Sequence, residues 1–312
     1  MSKIAFIFPG QGSQKVGMGA EFVANDEASK AFYDQADQAL NIKLSTLMLE
    51  GPQEELTLTY HAQPALLTTG VMIASKLMEA GITPDYTAGH SLGEYGSFVI
   101  AGSLSFEEAV KIVHKRGLYM NEAVPAGQGA MAAILGMDEE PLKEVCAEIT
   151  NNGDLVQLAN LNCPGQIVIS GTKAGVEKAS QLAKEKGAKR AIPLDVSGPF
   201  HSELMKDAAI KLEKEIEQVE ISQPNIPIIS NVHAGILEDV ESIKKEMVEQ
   251  VYSPVQWERD VRKMLECGVT TFIECGPGKV LSGLVKKIDR SVKSYCVYDI
   301  ATFEEVVKEL KG

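Results

Sequence analysis

The chain reads as an α/β protein: a larger unit with a mostly parallel sheet covered on both faces, interrupted by a small inserted unit. Three observations predict this. Short apolar runs such as residues 4–8, "IAFIF", are hydrophobic throughout, as strands buried on both faces are. Such runs alternate with segments of helical periodicity along most of the chain. From Gly129 the rhythm changes to β-α-β-β-α-β, the ferredoxin-like order.

The elements follow in order. "IAFIF" ends at Pro9 and leads into the glycine-rich loop "PGQGSQ". Residues 63–80, "QPALLTTGVMIASKLMEA", carry apolar residues at helical spacing and stop at Gly81. After "TPDYTAG" comes "GHSLG", then the apolar run Phe98–Ala101 closed by Gly102. Ser105 and Glu108 form a capping box that opens a helix to about Asn121. In the insert, "AMAAILG", "DLVQLAN", "GQIVISG" and "KRAIPLDV" read as strands, and "DEEPLKEVCAEIT" and "KAGVEKASQLAKEK" as helices. Beyond Ser197 come a strand at "IPIISN" (226–231), a helix around 255–267, the strand "TTFIEC", the stretch "GPGKVLSGL", and a last strand and helix. The expected division is therefore residues 1–127 with 197–312 as the larger unit, and 128–196 as the small one.

Composition narrows the function. With 312 residues, 45% hydrophobic and 23% charged, the chain can bury a sizeable core and is ordinary globular material. A net charge of −13 argues against nucleic acid as the main partner. No window approaches the roughly 18 apolar residues of a membrane span. "MSKIAFIFPGQG" lacks the long apolar region and cleavage site of a signal peptide. Five cysteines without a CxxC pair read as buried thiols in a reducing cytoplasm. No metal or organic cofactor is implied.

Residues 89–93 match G-x-S-x-G, a nucleophile elbow. There a serine stands on a strained turn between strand and helix, and β-carbons at the flanking positions would collide. The helix that follows aims backbone N–H groups, Leu92's first, toward a developing oxyanion. The plain alternative is a glycine-rich turn with a surface serine. This elbow is what makes the larger unit α/β-hydrolase-like. Ser91 needs a base, and the chain holds five histidines. His61 precedes a helix as a surface residue, His90 adjoins the serine and points elsewhere, and His114 lies on the 105–121 helix. His201, in "VSGPFHSEL", follows a strand end where a helix begins, a position α/β enzymes use for catalysis. His233, in "NVHAG", is the second candidate. No acid stands out as the orienting member of a triad, although Asp195 is near in sequence. A backbone carbonyl can hold the Nδ1 proton instead, so a Ser-His dyad is the more economical reading.

"FPGQGSQ" (8–14), "GHSLGEY" (89–95), Arg116 in "KRG", "GPFHS" (198–202), "PVQW" (254–257) and "GPGKVLSGL" (276–284) occur in one order over almost the full chain. Together they resemble the malonyl-CoA:acyl carrier protein transacylases of bacterial type II fatty-acid synthesis, relatives of polyketide synthase acyltransferase domains. The resemblance implies that Ser91 carries the malonyl group, with His201 as base and then acid, held by a main-chain carbonyl. It implies an oxyanion hole from the N–H groups of Gln11 and Leu92. Arg116 would clamp the malonyl carboxylate in a bidentate fork; taken alone it would read as a solvated helix arginine. Gln256 would sit at the active-site wall, and Asn160 and Asn162 would border the cleft from the small unit. Phe200 would crowd the substrate α-carbon, as the aromatic before the histidine does in malonyl-specific domains, unless it is simply core. The implied partners are malonyl-CoA and an acyl carrier protein, with no nucleic acid and no membrane, for a cytoplasmic monomer. Two rivals remain: a serine hydrolase on the same elbow, and a non-catalytic carrier-binding subunit. A buried cation in the acyl pocket argues against the first, and retention of both Ser91 and His201 against the second.

Overall fold

The computed structural model describes residues 3–312. Strand β1 (Lys3–Phe8) is followed by the short helices α1 (Ala20–Asn25), α2 (Glu27–Leu40), α3 (Leu44–Glu50) and α4 (Gln53–Thr57). Next come the long α5 (Thr59–Glu79), β2 (Tyr86–Gly89), α6 (Gly93–Ile100) and α7 (Phe106–Glu122). The stretch expected as an insert comprises β3 (Gly129–Leu135), α8 (Glu139–Asn151), β4 (Val156–Cys163), β5 (Gln166–Thr172), α9 (Lys173–Glu185) and β6 (Arg190–Pro193). The chain closes with α10 (Lys206–Ile216), β7 (Ile228–Ile229), β8 (Ile236–Leu237), α11 (Val240–Glu249), α12 (Trp257–Glu266), β9 (Val269–Cys275), α13 (Val280–Ile288), β10 (Lys293–Val297) and α14 (Ile300–Lys311).

Ten strands make two sheets among the described residues. The first has the order β10-β9-β1-β2-β7-β8 and is parallel except for the β7–β8 pair. The second, β4-β5-β3-β6, is antiparallel throughout. The solid run "IAFIF" is explained by its position. Phe6 and Phe8 of β1 join the core formed with α5, α6 and α7, whereas Ala5 and Ile7 pack on the opposite face with Trp257, Val261 and Leu284. The small sheet is likewise covered twice. Ile134, Leu158 and Ile169 pack under α8 and α9, while Met131, Ala159 and Val168 turn into the core of the larger unit.

Two of the expected elements differ in extent. The helix expected at 63–80 begins at Thr59, which makes Pro64 an interior residue and His61 part of the first turn rather than an exposed neighbour. An interior proline leaves the carbonyl four residues earlier without its N–H. That carbonyl, Tyr60 O, accepts instead from His114 Nδ1 at 2.8 Å, so the lost bond is replaced from α7. The strand expected at 226–231 shrinks to Ile228–Ile229. Beyond it the backbone bonds to side chains, with Asn231 N–H donating to Glu94 Oε1 at 2.8 Å.

Candidate active site

Strands β1 and β2 are parallel neighbours, with Phe8 opposite Gly89, so the loops that leave them lie side by side. One carries Gly10 and Gln11, the other His90 and Ser91. Ser91 has φ 52°, in the left-handed region that a serine avoids unless its surroundings enforce it. The enforcement is visible at both flanking glycines. A β-carbon on Gly89 would stand 1.9 Å from the Gly93 carbonyl carbon, and one on Gly93 would stand 2.0 Å from the Phe8 oxygen. Helix α6 therefore starts tight against β1, with Ser91 at its mouth. The N–H groups of Gly93, Glu94 and Tyr95 are taken by the carbonyls of His90, Ser91 and Leu92 at 3.0–3.1 Å. The Leu92 N–H comes before this first turn, where intrahelical acceptors are lacking.

Ser91 Oγ lies 2.7 Å from His201 Nε2. The other ring nitrogen of His201 donates to the Gln250 carbonyl at 2.8 Å. A carbonyl can only accept, so Nδ1 carries the proton and Nε2 faces Ser91 as an acceptor. His201 itself has φ 56° and is 3% exposed. Burial, and then the nearby Arg116 charge, push its pKa down to about 3, so the imidazole rests neutral.

Arg116 of α7 is the largest departure from its plain reading as a solvated arginine: it is 1% exposed. Nη1 donates to Gln63 Oε1 at 2.8 Å, and Nη2 donates to Gln250 Oε1 at 2.8 Å and to Ser91 Oγ at 3.1 Å. Its guanidinium also sits 5.7 Å from the Tyr95 ring centre, and its Nε has no partner. All these partners are neutral. The charge is buried with no carboxylate bonded to it among the described residues.

A cavity of about 140 Å³ opens over these groups. Gln11, Gln63, Ser91, Leu92, Arg116, Phe200 and His201 line it from the larger unit, and Met131, Asn160 and Leu194 from the insert. Phe200 lines this cavity, is 5% exposed and also belongs to the main core. Asn162 is a step removed: its Oδ1 accepts from His90 Nε2 at 2.8 Å, which turns His90 away from the serine. Gln256 lies outside the lining of this cavity. Its Nε2 donates to the Val232 carbonyl and its Oε1 accepts from Arg259, and it faces a separate groove of about 620 Å³ beside α8. His233 is also away from Ser91, 3.4 Å from Glu249 and more than half exposed.

Sequence reasoning missed the residues behind the site. Gln250 holds His201 through its carbonyl and Arg116 through its side chain, and its Nε2 donates to Ser91 O at 2.9 Å. Asn231 accepts the Ser91 N–H at 2.8 Å and donates to Gly89 O at 2.7 Å. Gln250 stands in no glycine-rich or histidine-bearing motif, and Asn231 opens "NVHAG", a stretch noted only for His233. Glu94 did carry a signal, since it follows the serine by three residues in "GHSLGEY".

The chain is similar to proteins of known kind along its whole length. The acyl transferase domain family matches residues 5–306. The malonyl CoA-acyl carrier protein transacylase of Bacillus subtilis (strain 168) is 61% identical over 311 residues, covering 100% of this chain and 98% of that protein. The structure of the malonyl CoA-acyl carrier protein transacylase from Coxiella burnetii superposes with a TM-score of 0.97 at 41% identity, over 100% of this chain and 98% of the other. A malonyl-transacylase solved in complex with its type II polyketide synthase acyl-carrier protein gives a TM-score of 0.96 at 41% identity, over 99% and 100%. Agreement of this extent along the chain leaves one assignment: this acyltransferase chain belongs to the acyl transferase domain family, among the malonyl CoA-acyl carrier protein transacylases.

Proposed function

We propose that the chain moves malonyl from coenzyme A to the phosphopantetheine thiol of an acyl carrier protein by a ping-pong route, in cytoplasmic fatty-acid synthesis. Ser91 Oγ attacks the thioester carbon while His201 Nε2 takes its proton. The tetrahedral oxyanion is held by the N–H groups of Gln11 and Leu92. Collapse expels the coenzyme A thiolate, which takes the proton from His201 and leaves a malonyl ester on Ser91. The carrier thiol then repeats these steps in reverse, giving its proton to His201 and attacking the ester. The sequence asks nothing of a metal or bound organic cofactor.

The observation that carries the malonyl reading is Arg116, a buried guanidinium beside the nucleophile whose protein partners are all neutral. An unpaired buried charge is expensive, and an anionic substrate relieves it. A plain esterase gains nothing from such a cation. Phe200 narrows the cavity beside His201 and would reject a methyl branch by roughly 1–3 kcal/mol. The larger unit, residues 1–127 and 197–312, then supplies the hydrolase-like elbow and base. The ferredoxin-like insert, 128–196, supplies the opposite wall through Asn160.

Arg116→Ala tests this directly. Removing one side of a buried charge pair costs about 2–5 kcal/mol, so kcat/KM for malonyl-CoA should fall far more than that for acetyl-CoA. The acetyl-to-malonyl ratio should rise by at least tenfold. An unchanged ratio would remove the carboxylate clamp from the reading.

A further inference from the structure

Behind Ser91 lie three carboxyls that the transfer chemistry does not use. Glu94 of α6 is 0% exposed, Glu246 of α11 is 1% and Asp260 of α12 is 0%. Their hydrogen bonds come from neutral donors. Glu94 accepts from Asn231 N–H at 2.8 Å and from Gln250 Nε2 at 2.7 Å. Glu246 accepts from Ser230 Oγ at 2.6 Å and Val232 N–H at 2.9 Å. Asp260 accepts from Asn231 Nδ2 at 3.0 Å, and its other oxygen has no partner. The three do not converge as a metal site. Among the described residues no lysine, arginine or histidine lies at ion-pair distance from any of the three, and a fully buried carboxyl without a cation is neutral at lower cost than charged.

From this geometry we infer that Glu94 is a positioning residue kept protonated: fully buried with only neutral donors around it, it holds the Gln250 side chain while uncharged. Gln250 in turn aims both His201 and Arg116. The neutral state matters because of what lies beyond Gln250. An ionised Glu94 would place a fixed anion near Arg116 and compete with the substrate's own carboxylate for its field. A protonated one gives the same acceptor geometry without compensating the cation. The ionisable groups that face Glu94 are Glu246, Asp260, Arg116 and Tyr95, while His233 acts on Glu246 from the surface. Burial and the two neighbouring acids hold the Glu94 carboxyl well above the ordinary glutamate range, in agreement.

The test compares wild type with Glu94→Gln and Glu94→Ala. At pH 7 the infrared spectrum of the wild type should contain a protonated-carboxyl C=O band that Glu94→Gln lacks and Glu246→Gln retains. A wild-type spectrum indistinguishable from that of Glu94→Gln in this region overturns the inference. Proton linkage gives a second reading. A carboxyl whose folded pKa is raised makes the folded state the better proton binder, so its stability contribution is lost as pH rises above the ordinary value of about 4.3. The unfolding constant of the wild type relative to Glu94→Gln should then climb by up to tenfold per pH unit through that window. Parallel pH–stability profiles overturn it as well. These two readouts hold whatever reaction Ser91 performs. The third rests on the transfer reading: kcat for malonyl transfer in Glu94→Ala should fall at least tenfold below that of Glu94→Gln. Equal rates would overturn the positioning role alone.

Discussion

His201 sets the behaviour of the site at the scale of single residues. Its Nδ1 proton is committed to the Gln250 carbonyl, and burial and Arg116 hold its pKa down at about 3. In the proposed mechanism the neutral ring is the base. A depressed pKa therefore extends activity toward acid, and kcat/KM for malonyl transfer should stay level as pH falls from 8 through 5.5. An ordinary histidine would instead lose half its base form near pH 6.5. A unit-slope decline beginning at 6.5 would show that the imidazole is not held as the structure has it. Ser91 and His201 were legible in the sequence as candidates because each stands where nucleophile or base chemistry favours that residue type, whereas Arg116 entered only through the family resemblance. Gln250 was not legible, because it acts through a main-chain oxygen that any residue possesses, and its side chain serves geometry that only the fold creates.

At the scale of elements, the site depends on how closely α6 approaches β1. Gly93 is the contact point: any β-carbon there would stand 2.0 Å from the Phe8 oxygen, which is backbone and cannot rotate aside. Gly93→Ala should therefore force α6 away from the sheet, costing about 1–3 kcal/mol or more of stability. Acylation should slow as well, since the Leu92 N–H moves with the helix. A denaturation midpoint and an acylation rate both equal to wild type would contradict this packing. Most strands and about half of the helices were readable from apolar runs and caps, as with Ser105, whose Oγ accepts from Glu108 N–H at 3.2 Å. The start of α5 was not, because Pro64 looks like a helix opening. Only the tertiary bond from His114 to Tyr60 O makes an earlier start affordable. β7 was overread for a related reason: "IPIISN" is apolar enough for a strand, but Ser230 and Asn231 bond to Glu246 and Glu94 instead.

At the scale of the whole molecule, a chain at −13 that serves an acidic carrier protein needs a local basic surface. Two stretches run against the net charge, residues 173–190 around α9 and 279–293 around α13. Their lysines are not equivalent. Lys178 is paired with Asp154 and Lys186 with Glu148, which reduces the field around α9. Lys287 reaches Gln166 of the insert at 3.1 Å, so α13 lies against the small sheet. Charge reversal at Lys279, Lys286, Lys287 and Arg290 should raise the KM for carrier protein and flatten its salt dependence. Reversal at Lys184, Lys189 and Arg190 should do the same, and transfer to free pantetheine should hardly change. A carrier-protein KM unmoved by both sets would place docking elsewhere. Beneath all of this stands the proposed covalent intermediate, which one measurement addresses. The protein is mixed with malonyl-CoA in the absence of carrier protein, quenched in acid and mapped by peptide mass spectrometry. A single malonyl adduct on the peptide bearing Ser91, absent from Ser91→Ala and discharged when carrier thiol is added, is the expected result. Malonyl transfer that proceeds without any adduct on Ser91, or undiminished in Ser91→Ala, would contradict it.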